Sequence, residues 1–146
     1  FAEKIMISHE NQISPMHRHN FKTEDIINRG GGVLVVELFK ATPEREIDQI
    51  SEVTVRTDGT VRRLPAGCHL KLRPGESVTL EPDCWHAFWG EGGSVLIGEV
   101  SNVNDDRTDN IFRDSVGRFS EINENAEPSH LLVSDYDIWL KGYEND

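Results

Sequence analysis

The sequence predicts an all-β fold, a barrel or sandwich, from two observations. Short apolar stretches recur between turn signals through residue 101, and no segment keeps a long apolar period of 3.6 residues. Strands are expected at 4–8, 14–20, 33–39, 52–57, 60–64, 68–72, 77–80, 85–89 and 94–101. Helix is expected only as one turn over Glu24-Asp25-Ile26-Ile27 and as a short terminal piece from Ser134 to Leu140.

The connections have identifiable chemistry. Gly30-Gly31-Gly32 permits positive φ ahead of Val33-Leu34-Val35-Val36. Asp58-Gly59 is a two-residue hairpin signal between Val53-Thr54-Val55 and Val61. Pro65-Ala66-Gly67 and Pro74-Gly75 mark further reversals. After residue 101 the chain turns polar and acidic and reads as a loop-rich segment over 102–146 that wraps the barrel and helps close one mouth. With 146 residues there is length for one domain, 1–146, whose barrel core spans about 4–101. The chain starts at Phe1 and enters strand-like sequence almost at once, so further residues are expected ahead of it.

Composition narrows the partners. Fifteen basic against 26 acidic residues give a net charge of −11. So acidic a surface argues against nucleic acid and anionic membranes, which select basic patches, and leaves a neutral small molecule open. No secretory apolar region and no apolar run near 18 residues is present, which makes a cytoplasmic protein the default expectation. Cys68 and Cys84, 16 apart and outside any CxxC pairing, are read as buried free thiols rather than a disulfide.

The strongest chemical signal is Pro15-Met16-His17-Arg18-His19-Asn20-Phe21-Lys22-Thr23-Glu24. In a strand, residues i and i+2 face the same side, so His17 and His19 present both imidazoles to one space. Glu24 follows five residues later, enough for the chain to bend and return a carboxylate beside them. Pro82-Asp83-Cys84-Trp85-His86 supplies a fourth ligand from a strand facing the first. Three imidazoles and one carboxylate suit a borderline divalent ion (Mn, Fe, Co, Ni or Zn), with positions left for substrate. An HxH pair alone is often two surface histidines; the added Glu24 and His86 make the pattern specific. His9, His69 and His130 lack such company and read as surface residues, His69 least securely because it lies in a strand.

This pattern resembles the cupin superfamily, whose first motif HxH(x)4E with a following glycine is matched by His17, His19, Glu24 and Gly30. Its second motif, PxGxxH, is matched less closely: His86 stands four residues after Pro82, with Cys84 where glycine is usual. The resemblance implies a double-stranded β-helix, or jelly-roll, barrel. A narrower resemblance, to the D-lyxose isomerase family, rests on Glu24-Asp25-Ile26-Ile27-Asn28-Arg29-Gly30-Gly31-Gly32, His86-Ala87-Phe88-Trp89, Gly98-Glu99-Val100-Ser101-Asn102-Val103-Asn104-Asp105-Asp106, Asp109-Asn110 and Gly117-Arg118-Phe119. It covers about residues 1–136 in order, and many members carry a further N-terminal segment.

That family implies a metal-dependent aldose–ketose isomerase, usually Mn-activated, acting on D-lyxose and D-xylulose and often on D-mannose and D-fructose. A cation that polarises the carbonyl and a base that moves a proton between adjacent carbons fit a cis-enediol route. Lys22, near the metal, is the expected oxyanion stabiliser or proton donor; by itself a strand lysine is usually solvated. Glu99 shares a strand face with Val95 and Ile97, which favours the interior and makes it the candidate base. Lys4, Asp109 and Arg118 are candidates for binding sugar hydroxyls, against the plainer readings of an edge-strand lysine and a loop salt bridge. Phe88 shares the inward face of His86 and is a candidate for stacking on the sugar, where plain core is the simpler role. The metal site leaves two other readings: an Fe-dependent dioxygenase and a non-catalytic sugar-binding cupin. A homodimer is expected by analogy with cupins.

Overall fold

The computed structural model describes residues 1–102, 105, 108–115, 125–131 and 135–140. The chain divides into two compact units, Phe1–Val116 and Gly117–Asp146. In the second, the described secondary structure is the one-turn helix α1, Tyr136–Trp139, inside the expected terminal piece.

The first unit is all-β: β1 Ala2–Ser8, β2 Ser14–Arg18, β3 Glu24–Ala41, β4 Ile47–Asp48, β5 Val53–Thr57, β6 Thr60–Leu64, β7 Cys68–Leu72, β8 Ser77–Leu80, β9 Cys84–Ser101 and β10 Ile111–Phe112. Hydrogen-bonded neighbours run β10-β2-β9-β3-β8-β5-β6, with β1 on β9 and β4 and β7 on β3. Among the described residues that path does not return on itself. The architecture is cupin-like, as expected, and Asp58-Gly59 makes the β5–β6 hairpin turn.

Two long antiparallel strands organise it. β3 and β9 pair from Glu24↔Ser101 to Lys40↔Cys84, and their two halves carry different outer neighbours. The early half of β3 pairs with β8 and its later half with β7. The early half of β9 pairs with β2 and its later half with β1. Register shifts between Asn28 and Gly30 and between Gly31 and Val33 bend the pair at its middle.

Glu24–Ile27 is strand, not a helical turn, because this stretch pairs on both edges and buries Glu24, Ile26 and Asn28 on one side. Gly30–Gly32 is a bulge inside β3 rather than a turn before it. A Cβ on Gly31, whose φ is 96°, would stand 2.1 Å from the Ser94 carbonyl oxygen, so only glycine lets the strands approach this closely. The segments 85–89 and 94–101 form one strand whose Gly92 and Gly93 sit opposite that bulge. The strand expected over 14–20 ends at Arg18, and β4 and β10, two residues each, carry too little pattern to be anticipated.

The interior is packed by Ile26, Leu34, Val36, Leu38, Leu70, Leu72, Val78, Leu80, Phe88, Val95 and Ile97, among others. On the opposite face of β2 and β9, Met16, Trp85 and Ala87 are covered by Ile47 of β4 and Ile111 of β10. Both faces of β9 near His86 are therefore buried, and the site is built on backbone held from two sides. Cys68 and Cys84 are free thiols, Cys84 buried, and burial pushes its thiol up to about 12.

Candidate metal centre and its charged neighbours

His17 and His86 stand opposite each other on β2 and β9, and their side chains share the inward face. His19 follows just past the end of β2, and Glu24 is the first residue of β3. Together their ligand atoms lie within 4.8 Å of one another, and all four residues are buried. The four-residue set expected from sequence is thus brought together, and it fits a divalent metal ion.

The imidazoles are oriented by main-chain carbonyls. His17 Nδ1 lies 2.7 Å from the Pro15 oxygen, His86 Nδ1 3.0 Å from the Cys84 oxygen, and His19 Nδ1 2.9 Å from the Asp109 oxygen. A carbonyl only accepts, so each Nδ1 carries the proton and donates, which turns each Nε2 lone pair inward. His86 Nε2 then faces Glu24 Oε1 at 3.0 Å, and His19 Nε2 faces the same oxygen at 3.2 Å. His86 Nε2 and Glu24 Oε1 are both fully buried, with no donor between them among the described residues. Acceptors on both sides of a buried ring demand either a second ring proton or a cation in the gap. Burial first, then the charge of the neighbouring His86, lowers the His17 pKa to about 2, so His17 is a neutral imidazole. Burial alone would keep Glu24 neutral, but hydrogen bonds and charge from His19 and His86 outweigh it and hold the carboxyl well below the usual range. A neutral His17 imidazole beside an ionised Glu24 carboxylate is the donor state that a divalent cation selects.

Next to this set runs a chain of alternating charge. Lys22 Nζ lies 2.7 Å from Glu24 Oε2 and 2.9 Å from Glu99 Oε1, all three side chains being almost fully buried. Lys4 Nζ approaches the same Glu99 oxygen at 3.4 Å, with its side chain 27% exposed. Burial disfavours the Lys22 ammonium, but Glu24 and then Glu99 overcome that, and its pKa is raised. Lys22 therefore stays a cation at neutral pH.

Phe88 does share the inward face of His86, its ring parallel at 6.5 Å between centroids, but it is buried in the core. Asp109, expected to face a sugar, turns its carboxylate onto the backbone amides of Asn20, Phe21 and Lys22 at 2.8, 3.0 and 2.9 Å. Arg118 lies outside the described residues. His69 is exposed, its ring edge-on to Trp89, while His9 meets Ser94 and His130 meets Ser129. The carbonyl partners of the ligand imidazoles escaped sequence reasoning. The one signal was position: Pro15 and Cys84 each stand two residues before a ligand histidine. Among the described residues, no helix is long and apolar enough to cross a membrane.

Comparison with known proteins agrees with this picture. A D-lyxose isomerase family model matches residues 1–136. The D-lyxose/D-mannose isomerase of Serratia proteamaculans is 50% identical over 138 residues, which are 93% of this chain and 60% of that protein. Its counterpart in Escherichia coli O157:H7 is 46% identical over the same shares. The chain thus spans 60% of the length of these relatives. Among solved structures, an L-ribose isomerase of Cellulomonas parahominis aligns with TM-score 0.54 and 22% identity over 75% of this chain and 57% of that one. A dTDP sugar isomerase of Desulfovibrio desulfuricans G20 aligns with TM-score 0.56 and 12% identity over 82% and 69%. At these identities the likeness carries the fold alone.

Proposed function

Because the chain belongs to the D-lyxose isomerase family, we propose that it is a metal-dependent aldose–ketose isomerase interconverting D-lyxose and D-xylulose, and D-mannose and D-fructose, through a cis-enediol. The observation that carries the reading is the adjacency of a three-histidine, one-carboxylate donor set to the buried Lys22–Glu99 pair.

His17, His19, Glu24 and His86 hold the metal, for which manganese is the first choice. When bound, the divalent cation supplies Lewis-acid polarisation of the substrate oxygens and electrostatic stabilisation of developing negative charge. The chain's own residues do the proton work. Glu99 is the base that removes the proton at C2 and returns it at C1. Lys22, kept cationic between two carboxylates, stabilises the enediolate as a donor rather than as a base. Lys4, at the more open end of the charged chain, donates to a sugar hydroxyl. Phe88 forms the packed wall behind His86. The substrate is thus a neutral small sugar, and the protein works as a cytoplasmic homodimer.

The test is to incubate metal-stripped protein with Mn²⁺ and D-lyxose in deuterated water without oxygen and follow products by NMR. Xylulose carrying deuterium at C1 is the expected outcome. Failure to turn over any pentose or hexose, in protein shown to bind the metal, refutes the proposal.

A further inference from the structure

We propose that Asp109 is a positioning residue: its carboxylate fixes the bend between His19 and Glu24, and through that bend it sets a metal ligand and the Lys22 ammonium.

Between β2 and β3 the chain must bend within residues 19–23 while delivering three inward side chains, those of His19, Lys22 and Glu24. No ladder organises this stretch. Three consecutive amides instead converge on one carboxylate, Asn20 and Phe21 on Oδ1 and Lys22 on Oδ2. Successive N–H groups gathered in this way form an anion-binding concavity, here filled by an internal side chain. Asp109 is 2% exposed and Lys22 4%, so water does not replace this carboxylate without opening the structure. The same residue acts a second time, since its carbonyl accepts the His19 Nδ1 proton. One residue thus sets the direction of a ligand imidazole and the point from which the Lys22 side chain starts.

Asp109 is itself anchored. Its amide donates to the Asp105 oxygen, and directly after it Ile111 and Phe112 pair with Arg18 and His17. Arg113 N–H then donates to the Met16 oxygen. The segment 109–113 is stitched along 16–22, so its side chain reports on the ligand loop rather than on the sugar.

Asp109→Asn keeps the shape but sets an amide N–H₂ against a backbone N–H, leaving at least one of the three donors without its acceptor. In metal-free protein, hydrogen exchange at amides 20–22 should accelerate relative to wild type. Mn²⁺ affinity, read by EPR of the free ion, should fall by about tenfold or more, the usual effect of losing an orienting partner. The kinetic consequence alone rests on the isomerase reading: kcat falls while KM for the sugar changes little. A raised KM with unchanged Mn²⁺ affinity and unchanged exchange would make Asp109 a sugar ligand and overturn the proposal. If the protein turns over no sugar at all, weaker Mn²⁺ binding with faster exchange still upholds the positioning role. Should D109N fail to fold, the wild type carries the test: slow exchange at amides 20–22 upholds it, and exchange at open-loop rates overturns it.

Discussion

Replacing Lys22 by Met tests the charged chain directly. The ammonium lies 2.7 Å from Glu24 Oε2 and 2.9 Å from Glu99 Oε1, and the three side chains are 5%, 1% and 8% exposed. At an effective dielectric near 20, Coulomb's law gives about 6 kcal/mol for each such contact. Desolvation of three charges cancels much of this, and removing one member of a buried pair destabilises by about 3–5 kcal/mol because an uncompensated charge remains. K22M should therefore lose roughly that much unfolding free energy in the metal-free protein at pH 7, read by urea denaturation. The sign with pH is definite. A lysine whose folded pKa is raised contributes its stability fully below its unfolded value and loses it only as pH rises through the folded one. At neutral pH the whole contribution is present. A double-mutant cycle with Glu99→Gln isolates the pair, and a coupling above about 1 kcal/mol is expected. Zero coupling, or a K22M protein as stable as wild type, would refute the claim that Lys22 bridges two buried carboxylates.

Three further outcomes follow from the same geometry. Glu99→Gln should lower turnover by about a hundredfold or more while leaving Mn²⁺ affinity nearly unchanged, measured by steady-state kinetics beside EPR titration. An equal loss in both would mean that Glu99 serves the metal rather than the proton. Metal-free protein should weaken on acidification from pH 6.5 to 5 by about 2 kcal/mol, because the unfolded chain takes up a proton that folded His17, with its pKa lowered to about 2, refuses. A flat denaturation midpoint across that range would show that His17 protonates in the folded state. Gly31→Ala should destabilise by about 3 kcal/mol or more, since the new Cβ meets the Ser94 carbonyl at 2.1 Å on a backbone with φ of 96°. A soluble G31A protein of wild-type melting temperature would contradict the close crossing of β3 and β9.

The sequence by itself determined the elements whose signal is local. Period-two burial along β1 and β5 and the Asp58-Gly59 turn are written in neighbouring residues. The ligand set was legible for a related reason: the HxH spacing puts both imidazoles on one side even though His19 stands just past the end of β2, and His86 follows the parity of its own strand. Strand parity also turned Glu99 inward, where the structure has it. The tertiary structure decided what depends on residues far apart in the chain. Glu24–Ile27 is strand because β8 and β9 lie on either side of it, although the local letters allow a helical turn. The glycine run became a bulge because another strand crosses at that point. The ion chain from Glu24 through Lys22 to Glu99 and Lys4, and the turn of Asp109 onto three amides, require distances that no spacing rule contains. Local pattern gives the direction of a side chain relative to its own strand, and only the register between strands decides what that side chain meets.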